Sequence, residues 1–260
     1  MKVLLVVCFA IFLSGCNSSG KKDPNKEMDD TARMDNPPVL TSKVEPQKGA
    51  ASDIPASIKV KGTVQEVWKW KDNAGENLLI TTYVAPYDDK EKNKFGEEGQ
   101  TAELHAFHYA KQGTGEYAQV WMMNDQEKSC PFDITCQFVP GSTTITDLDN
   151  NGIAEIKIQY LITCRSDVSP AAIKLIMYEN GKKYALRGNS WIPYSPDFKF
   201  DVTEDNANLE KMPKAKDETE EMLRSFGRYE TEKEFNNAPP EFIIHARKEW
   251  LKYVKEKMGE

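Results

Sequence analysis

Residues 147–163 read DLDNNGIAEIKIQYLIT, and this stretch decides the fold. Its second part alternates apolar side chains such as Ile156 and Ile158 with polar ones such as Lys157. Because successive side chains of a β-strand point to opposite faces, the alternation predicts a strand with one buried and one wet face. The preceding Asn151-Gly152 is typical of a tight turn. The stretch therefore predicts a turn and a strand of an antiparallel sheet.

The same pattern extends over residues 58–193, in two halves that share an order of elements. Strands are predicted at 58–71, 77–84, 103–109 and 117–123 in the first half, and at 132–139, 142–146, 153–163, 172–178 and 183–187 in the second. Two such meanders resemble propeller blades, but two blades do not close a ring. We therefore expect a mainly β (α+β) fold, an antiparallel sheet or sandwich built from two propeller-blade-like meanders.

Beyond residue 193 the chain is charged and predicts helices at 217–226 and 240–257. Pro240 suits the start of the second helix. Its apolar residues form one stripe, made of Phe242, Ile243, Ala246, Trp250, Tyr253 and Val254. Such a stripe predicts packing on the sheet, with binding of a partner as the alternative. We expect residues 194–260 to be a charged linker and C-terminal helices that complete the same domain.

The N-terminus has the pattern of a bacterial lipoprotein signal. Lys2 precedes an apolar run at 3–13, and Leu13-Ser14-Gly15-Cys16 follows. Eleven helical residues extend about 16 Å, too short for a hydrocarbon core of about 30 Å, so a transmembrane anchor is not expected. We expect removal of residues 1–15 and acylation of Cys16, which attaches the protein to the membrane. A plain signal peptide is the alternative.

Residues 16–57 contain few large apolar side chains and predict a disordered tether after the lipidated cysteine. Residues 21–24, KKDP, match only partly the lysine-and-acidic pattern that directs some lipoproteins to the cell surface. Without Lys2 the chain has 33 basic and 41 acidic residues, a formal charge of −8, which disfavours nucleic acid as a partner. We expect a lipid-anchored cell-envelope protein, at the outer membrane, with the periplasmic and surface faces both open.

Residues 147–155 have the spacing of a calcium loop. Asp147, Asp149, Asn151 and Glu155 occupy positions one, three, five and nine around a turn glycine, and the Ile153 carbonyl is a fifth candidate ligand. An ordinary hairpin turn is the alternative, but it does not account for Asp147 and Glu155. We therefore predict that these five residues bind calcium. The corresponding turn of the first half, residues 72–76, lacks alternating ligands and is expected to be a bare turn.

Three cysteines follow Cys16, namely Cys130, Cys136 and Cys164. In an oxidising compartment they allow one disulfide and one free thiol. Cys136 alternates with apolar neighbours and is expected on a core face, whereas the other two lie at strand ends. We therefore predict a Cys130–Cys164 disulfide and no catalytic thiol.

The remaining residues give no catalytic motif. His105 and His108 are three apart on a predicted strand, so they are expected to point to opposite faces and not to chelate one ion. The sequence contains neither Gly-x-Ser-x-Gly, nor a glycine-rich phosphate loop, nor His-Glu-x-x-His. No glycosidase pair stands out among 41 carboxylates.

Three stretches, residues 146–155, 164–170 and 174–188, resemble a family of Bacteroidetes lipoproteins that is linked to surface polysaccharide biosynthesis. The resemblance covers roughly residues 60–255. It implies a cell-envelope setting, and it implies no catalytic residue because the family has none established.

Two functions of different class follow from these observations. The first is a non-enzymatic, calcium-binding β module that supports surface polysaccharide assembly or binds a glycan or an envelope assembly protein. The alternative is a polysaccharide-modifying enzyme whose site lies among Trp68, Trp70, Tyr83, Trp121 and nearby carboxylates. Aromatic residues in such numbers more often pack a sheet than bind sugar.

Overall fold

The computed structural model describes residues 43–256. The predicted signal peptide, the lipid attachment at Cys16 and the first part of the predicted tether lie outside the described residues. Within residues 43–256, no helix has the length and apolar character needed to span a membrane.

Five antiparallel strands in sequential order form the first sheet. They are β1 (Gln47–Gly49), β2 (Thr63–Asp72), β3 (Gly75–Asp89), β4 (Gly99–Lys111) and β5 (Ala118–Cys130). The β2–β3 connection is tight because Gly75 adopts a positive φ of 125°. Strands β2 to β5 are the predicted first meander.

The second sheet contains β6 (Asp133–Phe138), β7 (Thr144–Thr146), β8 (Glu155–Arg165), β9 (Ala172–Glu179) and β10 (Lys182–Asn189). Strands β6 and β7 pair with opposite ends of β8, so together they fill one strand position. Strands β8, β9 and β10 then follow as an antiparallel meander.

The two sheets pack face to face around a shared apolar core. Trp70, Leu79 and Leu104 of the first sheet lie in one cluster with Ile158 and Ile176 of the second. This arrangement follows from the alternation along each strand, because it places every second side chain on the inner face. The predicted mainly β sandwich is confirmed.

Two helices follow the second sheet, α1 (Glu218–Ser225) and α2 (Pro240–Tyr253). Phe242, Ala246 and Trp250 of α2 are fully buried in a cluster with Ile173 and Leu175 of β9. The apolar stripe of the helix therefore packs on the outer face of the second sheet, as predicted.

The folded domain begins before residue 58, so the last residues of the predicted tether are not disordered. Strand β1 pairs with β2, and Ile54 and Ile58 pack on the outer face of the first sheet beside Ile80. The composition of this segment did not reveal the strand, because an edge strand of three residues is held by backbone hydrogen bonds instead of apolar side chains.

The expected wet face of β8 is also wrong. Glu155, Lys157 and Gln159 are buried, because the C-terminal segment covers this side of the sheet. Lys157 Nζ forms an ion pair with Glu249 Oε2 of α2 at 2.7 Å. The polar side chains of β8 therefore face an interface between the second sheet and the C-terminal segment.

Candidate metal centre

The loop between β7 and β8 carries the predicted metal ligands. Asn150 and Gly152 adopt positive φ angles of 58° and 81°, which these two residue types tolerate best. The N–H of Asn151 donates to Asp149 Oδ1 at 3.2 Å, and the N–H of Ile153 donates to Asn151 Oδ1 at 2.7 Å. These local hydrogen bonds turn the chain so that the side chains on either side of the turn converge.

Three carboxylates meet in this loop. Asp147, Asp149 and Glu155 each offer one oxygen atom, and these atoms all lie within 4.8 Å of one another. The spacing of the motif predicted all three residues. Carboxylates so close together repel one another unless a proton or a cation lies among them.

Glu155 is the most constrained of the three. Its relative exposure is 0%. Oε2 accepts hydrogen bonds from the N–H of Leu148 at 2.9 Å and from the Thr146 hydroxyl at 3.0 Å. Oε1 is buried and has no hydrogen-bond partner among residues 43–256. Burial, together with the nearby charge of Asp149, raises the pKa of this carboxyl to about 7.

Asp147 has the same imbalance. Its Oδ2 accepts a hydrogen bond from the N–H of Gly152 at 3.1 Å. Its Oδ1 is buried without a partner in the described part of the chain. Two buried carboxylate oxygens in one loop therefore lack donors, which is unusual because buried polar atoms are nearly always hydrogen-bonded.

The other two predicted ligands, Asn151 and Ile153, are arranged differently. The Asn151 amide nitrogen donates to Asp149 Oδ2 at 3.0 Å and to Glu179 Oε1 at 2.7 Å. Its amide oxygen accepts from the N–H of Ile153. Asn151 thus ties the loop to the β9–β10 hairpin in this conformation, and Ile153 contributes its N–H to the loop.

The β2–β3 turn holds the loop from the first sheet. Asp72 Oδ2 accepts from the N–H of Ala154 at 3.1 Å, and the N–H of Asn73 donates to the Gly152 carbonyl at 2.8 Å. A Cβ atom at Gly152 would lie 2.0 Å from Asn73 Nδ2, so a larger residue would displace the Asn73 side chain, and the φ of 81° favours glycine here. Besides reversing the chain, the turn at residues 72–76 therefore supports the carboxylate loop. The sequence carried no signal for this contact, because the two segments are about eighty residues apart.

A hard divalent cation suits this chemistry. The loop offers only oxygen ligands, and calcium accepts carboxylates, backbone carbonyls and water in flexible geometry. Magnesium demands a stricter octahedron and keeps more of its water.

The predicted pair of cysteines is joined in the structure. A disulfide connects Cys130 to Cys164, with the Cα atoms 5.5 Å apart. Since Cys130 ends β5 and Cys164 belongs to β8, the bond links the two sheets. Cys136 is free and buried on the core face, and burial raises the pKa of its thiol to about 11. Such a thiol is unreactive.

The two histidines on β4 lie on opposite faces, as predicted. His105 Nε2 is 3.0 Å from Glu103 Oε2, and its ring stacks on Phe107, which belongs to the outer cluster of the first sheet. His108 Nε2 is 2.9 Å from Asn77 Oδ1, and burial lowers the pKa of His108 to about 4. Because they lie on opposite faces, the two side chains are not placed to chelate one ion.

The aromatic residues of the enzyme hypothesis belong to the core. Trp70 and Trp121 are buried between the sheets, and Trp68 and Tyr83 pack against them. A cavity of about 700 Å³ lies elsewhere, beside the disulfide, and none of these four residues lines it. Tyr83 lines a smaller cavity of about 380 Å³, but the three tryptophans do not. The four side chains therefore do not form one shared surface for sugar.

Comparisons of this chain with protein-family models, with curated proteins and with solved structures gave no match.

Proposed function

We propose that this chain is a lipid-anchored envelope protein whose β sandwich binds calcium at residues 147–155 and acts as a non-enzymatic binding module. One observation carries the calcium proposal. The Glu155 side chain is fully buried beside Asp147 and Asp149, and one of its oxygens has no hydrogen-bond partner among the described residues. An ionised carboxylate in that position requires a compensating charge.

A calcium ion satisfies both unpartnered oxygens at once. A proton on Glu155 relieves the repulsion. It leaves Asp147 Oδ1 without a partner unless it forms a hydrogen bond between Glu155 Oε1 and Asp147 Oδ1. A cation attracts all three carboxylates, and water completes its coordination shell. Because the loop offers few protein ligands, we expect a dissociation constant of about 10⁻⁴–10⁻³ M, as in other extracellular modules.

The position of the loop indicates a structural role for the ion. Asp72 and Asn73 attach the loop to the first sheet. Asp147 directly follows β7, and Glu155 is the first residue of β8. An ion that orders this loop therefore stabilises the contact between the sheets. The resemblance to envelope lipoproteins supports a glycan or an assembly protein as the partner of such a module.

The test is a thermal melt in chelator and in millimolar calcium. At a tenfold excess over the dissociation constant, linkage stabilises the folded state by about 1.4 kcal/mol, which raises Tm by a few degrees for a domain of this size. The variant with Asp147→Asn and Asp149→Asn should lose the shift and keep its fold, because the turn itself needs only asparagine and glycine.

Asp167→Asn is the matched control. Asp167 caps an exposed turn by accepting from the N–H of Ser169 at 2.9 Å, and it lies outside the carboxylate cluster. This variant should keep the calcium shift. If the wild-type protein melts at the same temperature in both buffers, the loop is only a turn and the calcium proposal is wrong.

A further inference from the structure

A small polar cavity lies between strand β5 of the first sheet and strands β8 to β10 of the second sheet. It has a volume of about 190 Å³ and is bounded by Asn124 and Asp125 of β5 and by side chains of β8, β9 and β10. We call it the cationic cleft, since Lys174, Lys183 and Arg187 line it.

These three cations occupy inward-facing positions of the second sheet. Lys174 pairs across β9 and β10 with Arg187, and Tyr178 pairs with Lys183. The pair between them, Ile176 and Ala185, belongs to the core that faces the first sheet. Paired residues lie on the same face of a sheet. The inner face of the second sheet is therefore apolar where the first sheet covers it, and it is cationic beyond β5, the edge strand of the first sheet.

The charges of the cleft do not balance. Asp125 is the only acidic residue that lines it, and its Oδ2 accepts from Lys174 Nζ at 2.5 Å and from the Tyr160 hydroxyl at 2.9 Å. Arg187 forms an ion pair with Glu234, which lies outside the lining. Lys183 has no ion pair and no hydrogen bond with any side chain of residues 43–256. The cleft is therefore positive in a protein whose net charge is negative.

We propose that the cationic cleft binds the anionic group, a carboxylate or a phosphate, of a small ligand. Lys183 supplies a free ammonium group, and Arg187 keeps the guanidinium N–H groups that its ion pair with Glu234 does not use. Both groups are donors that carboxylates and phosphates prefer. The Asn124 amide adds a neutral partner at the rim. The volume is smaller than the several hundred Å³ of sites that enclose a whole drug-sized ligand, so the cleft suits one anionic group or one sugar acid.

The competing explanation is protection of a sheet edge. Strand β10 is an edge strand, and inward-pointing charges keep such edges from pairing with other chains. That role needs charge but no ligand. The two explanations therefore differ in whether an anion binds at Lys183.

The experiment is calorimetric titration of the mature chain, in chelator, with inorganic phosphate, glucuronate and glucose. Phosphate or glucuronate should bind, more weakly at high salt, while neutral glucose should not. Lys183→Gln should raise the dissociation constant about tenfold, the effect of losing one charge-assisted hydrogen bond. Lys182→Gln, on the same strand but outside the lining, should leave it unchanged.

Thermal melts establish that both lysine variants fold, which is expected because both side chains are exposed. Binding of phosphate alone or glucuronate alone identifies which anion the cleft takes, and either supports the proposal. Absence of binding by both anions at millimolar concentration, or equal binding by Lys183→Gln and wild type, overturns it. Since chelator is present throughout, the result is independent of the calcium proposal.

Discussion

At the scale of the residue, Glu155 combines complete burial with a charge that the described residues do not compensate. Burial raises its pKa from 4.5 to about 7 in the metal-free protein. The folded state then binds a proton more tightly than the unfolded chain does. Its stabilising contribution is fully present below pH 4.5 and is lost as the pH rises through 7.

Glu155→Gln should remove this dependence. In chelator, the free energy of unfolding of the wild type should fall relative to that of the variant, by an amount on the order of 3 kcal/mol, between pH 5 and pH 8. Urea unfolding at both pH values measures the difference. Parallel changes in the two proteins would show that Glu155 does not titrate in this range.

This comparison is made against the variant because His108 contributes with the opposite sign. Burial lowers its pKa to about 4, so the stability it contributes is present above its ordinary value of 6.5 and is lost as the pH falls towards 4. The two groups partly cancel in the wild type, and only the difference between the proteins isolates Glu155.

At the scale of the element, strand β8 connects the parts of the sandwich. Its first residue, Glu155, belongs to the carboxylate loop, and Cys164 near its end forms the disulfide to β5. Between them, Lys157 forms its buried ion pair with Glu249 of α2. One strand therefore contacts the first sheet at both ends and the C-terminal helix in its middle.

Removal of the disulfide should destabilise this arrangement. The bond closes a sequence separation of 34 residues, for which the loop-entropy treatment gives about 3–4 kcal/mol. The variant with Cys130→Ala and Cys164→Ala should show this loss in urea unfolding.

Peptide mapping of the non-reduced protein supplies the covalent evidence. It should recover Cys130 linked to Cys164, with Cys136 alkylated only after unfolding because its side chain is buried. A peptide that links Cys130 to Cys136 would contradict the assignment.

At the scale of the whole molecule, the sandwich is expected to be held at the membrane by its lipidated N-terminus. Cys16→Ser should leave the protein uncleaved or soluble in the periplasm, because the acyl chains supply the anchoring free energy. Detergent-phase partitioning of the two proteins measures the change. Cys8→Ser, in the apolar run before the cleavage site, is the matched control and should still partition into detergent. Equal partitioning of Cys16→Ser and the wild type would refute the lipidation.

Patterns of short range determined much of this protein. Alternation located the strands of both meanders, Asn151-Gly152 located the turn before β8, and the spacing of residues 147–155 identified three carboxylates that converge. These features depend on neighbours within a few residues, because the periods of strand and helix and the conformations of turns are local.

Contacts between distant segments were decided only by the tertiary structure. A short polar segment forms strand β1 by pairing with β2. Asp72 and Asn73 support the carboxylate loop, which lies far along the chain. Lys174, Lys183 and Arg187 formed a cleft because the first sheet ends at β5. The physical reason is that burial depends on which surfaces pack together, and the free-energy cost of a charge depends on its burial. The sequence of one element does not contain that information.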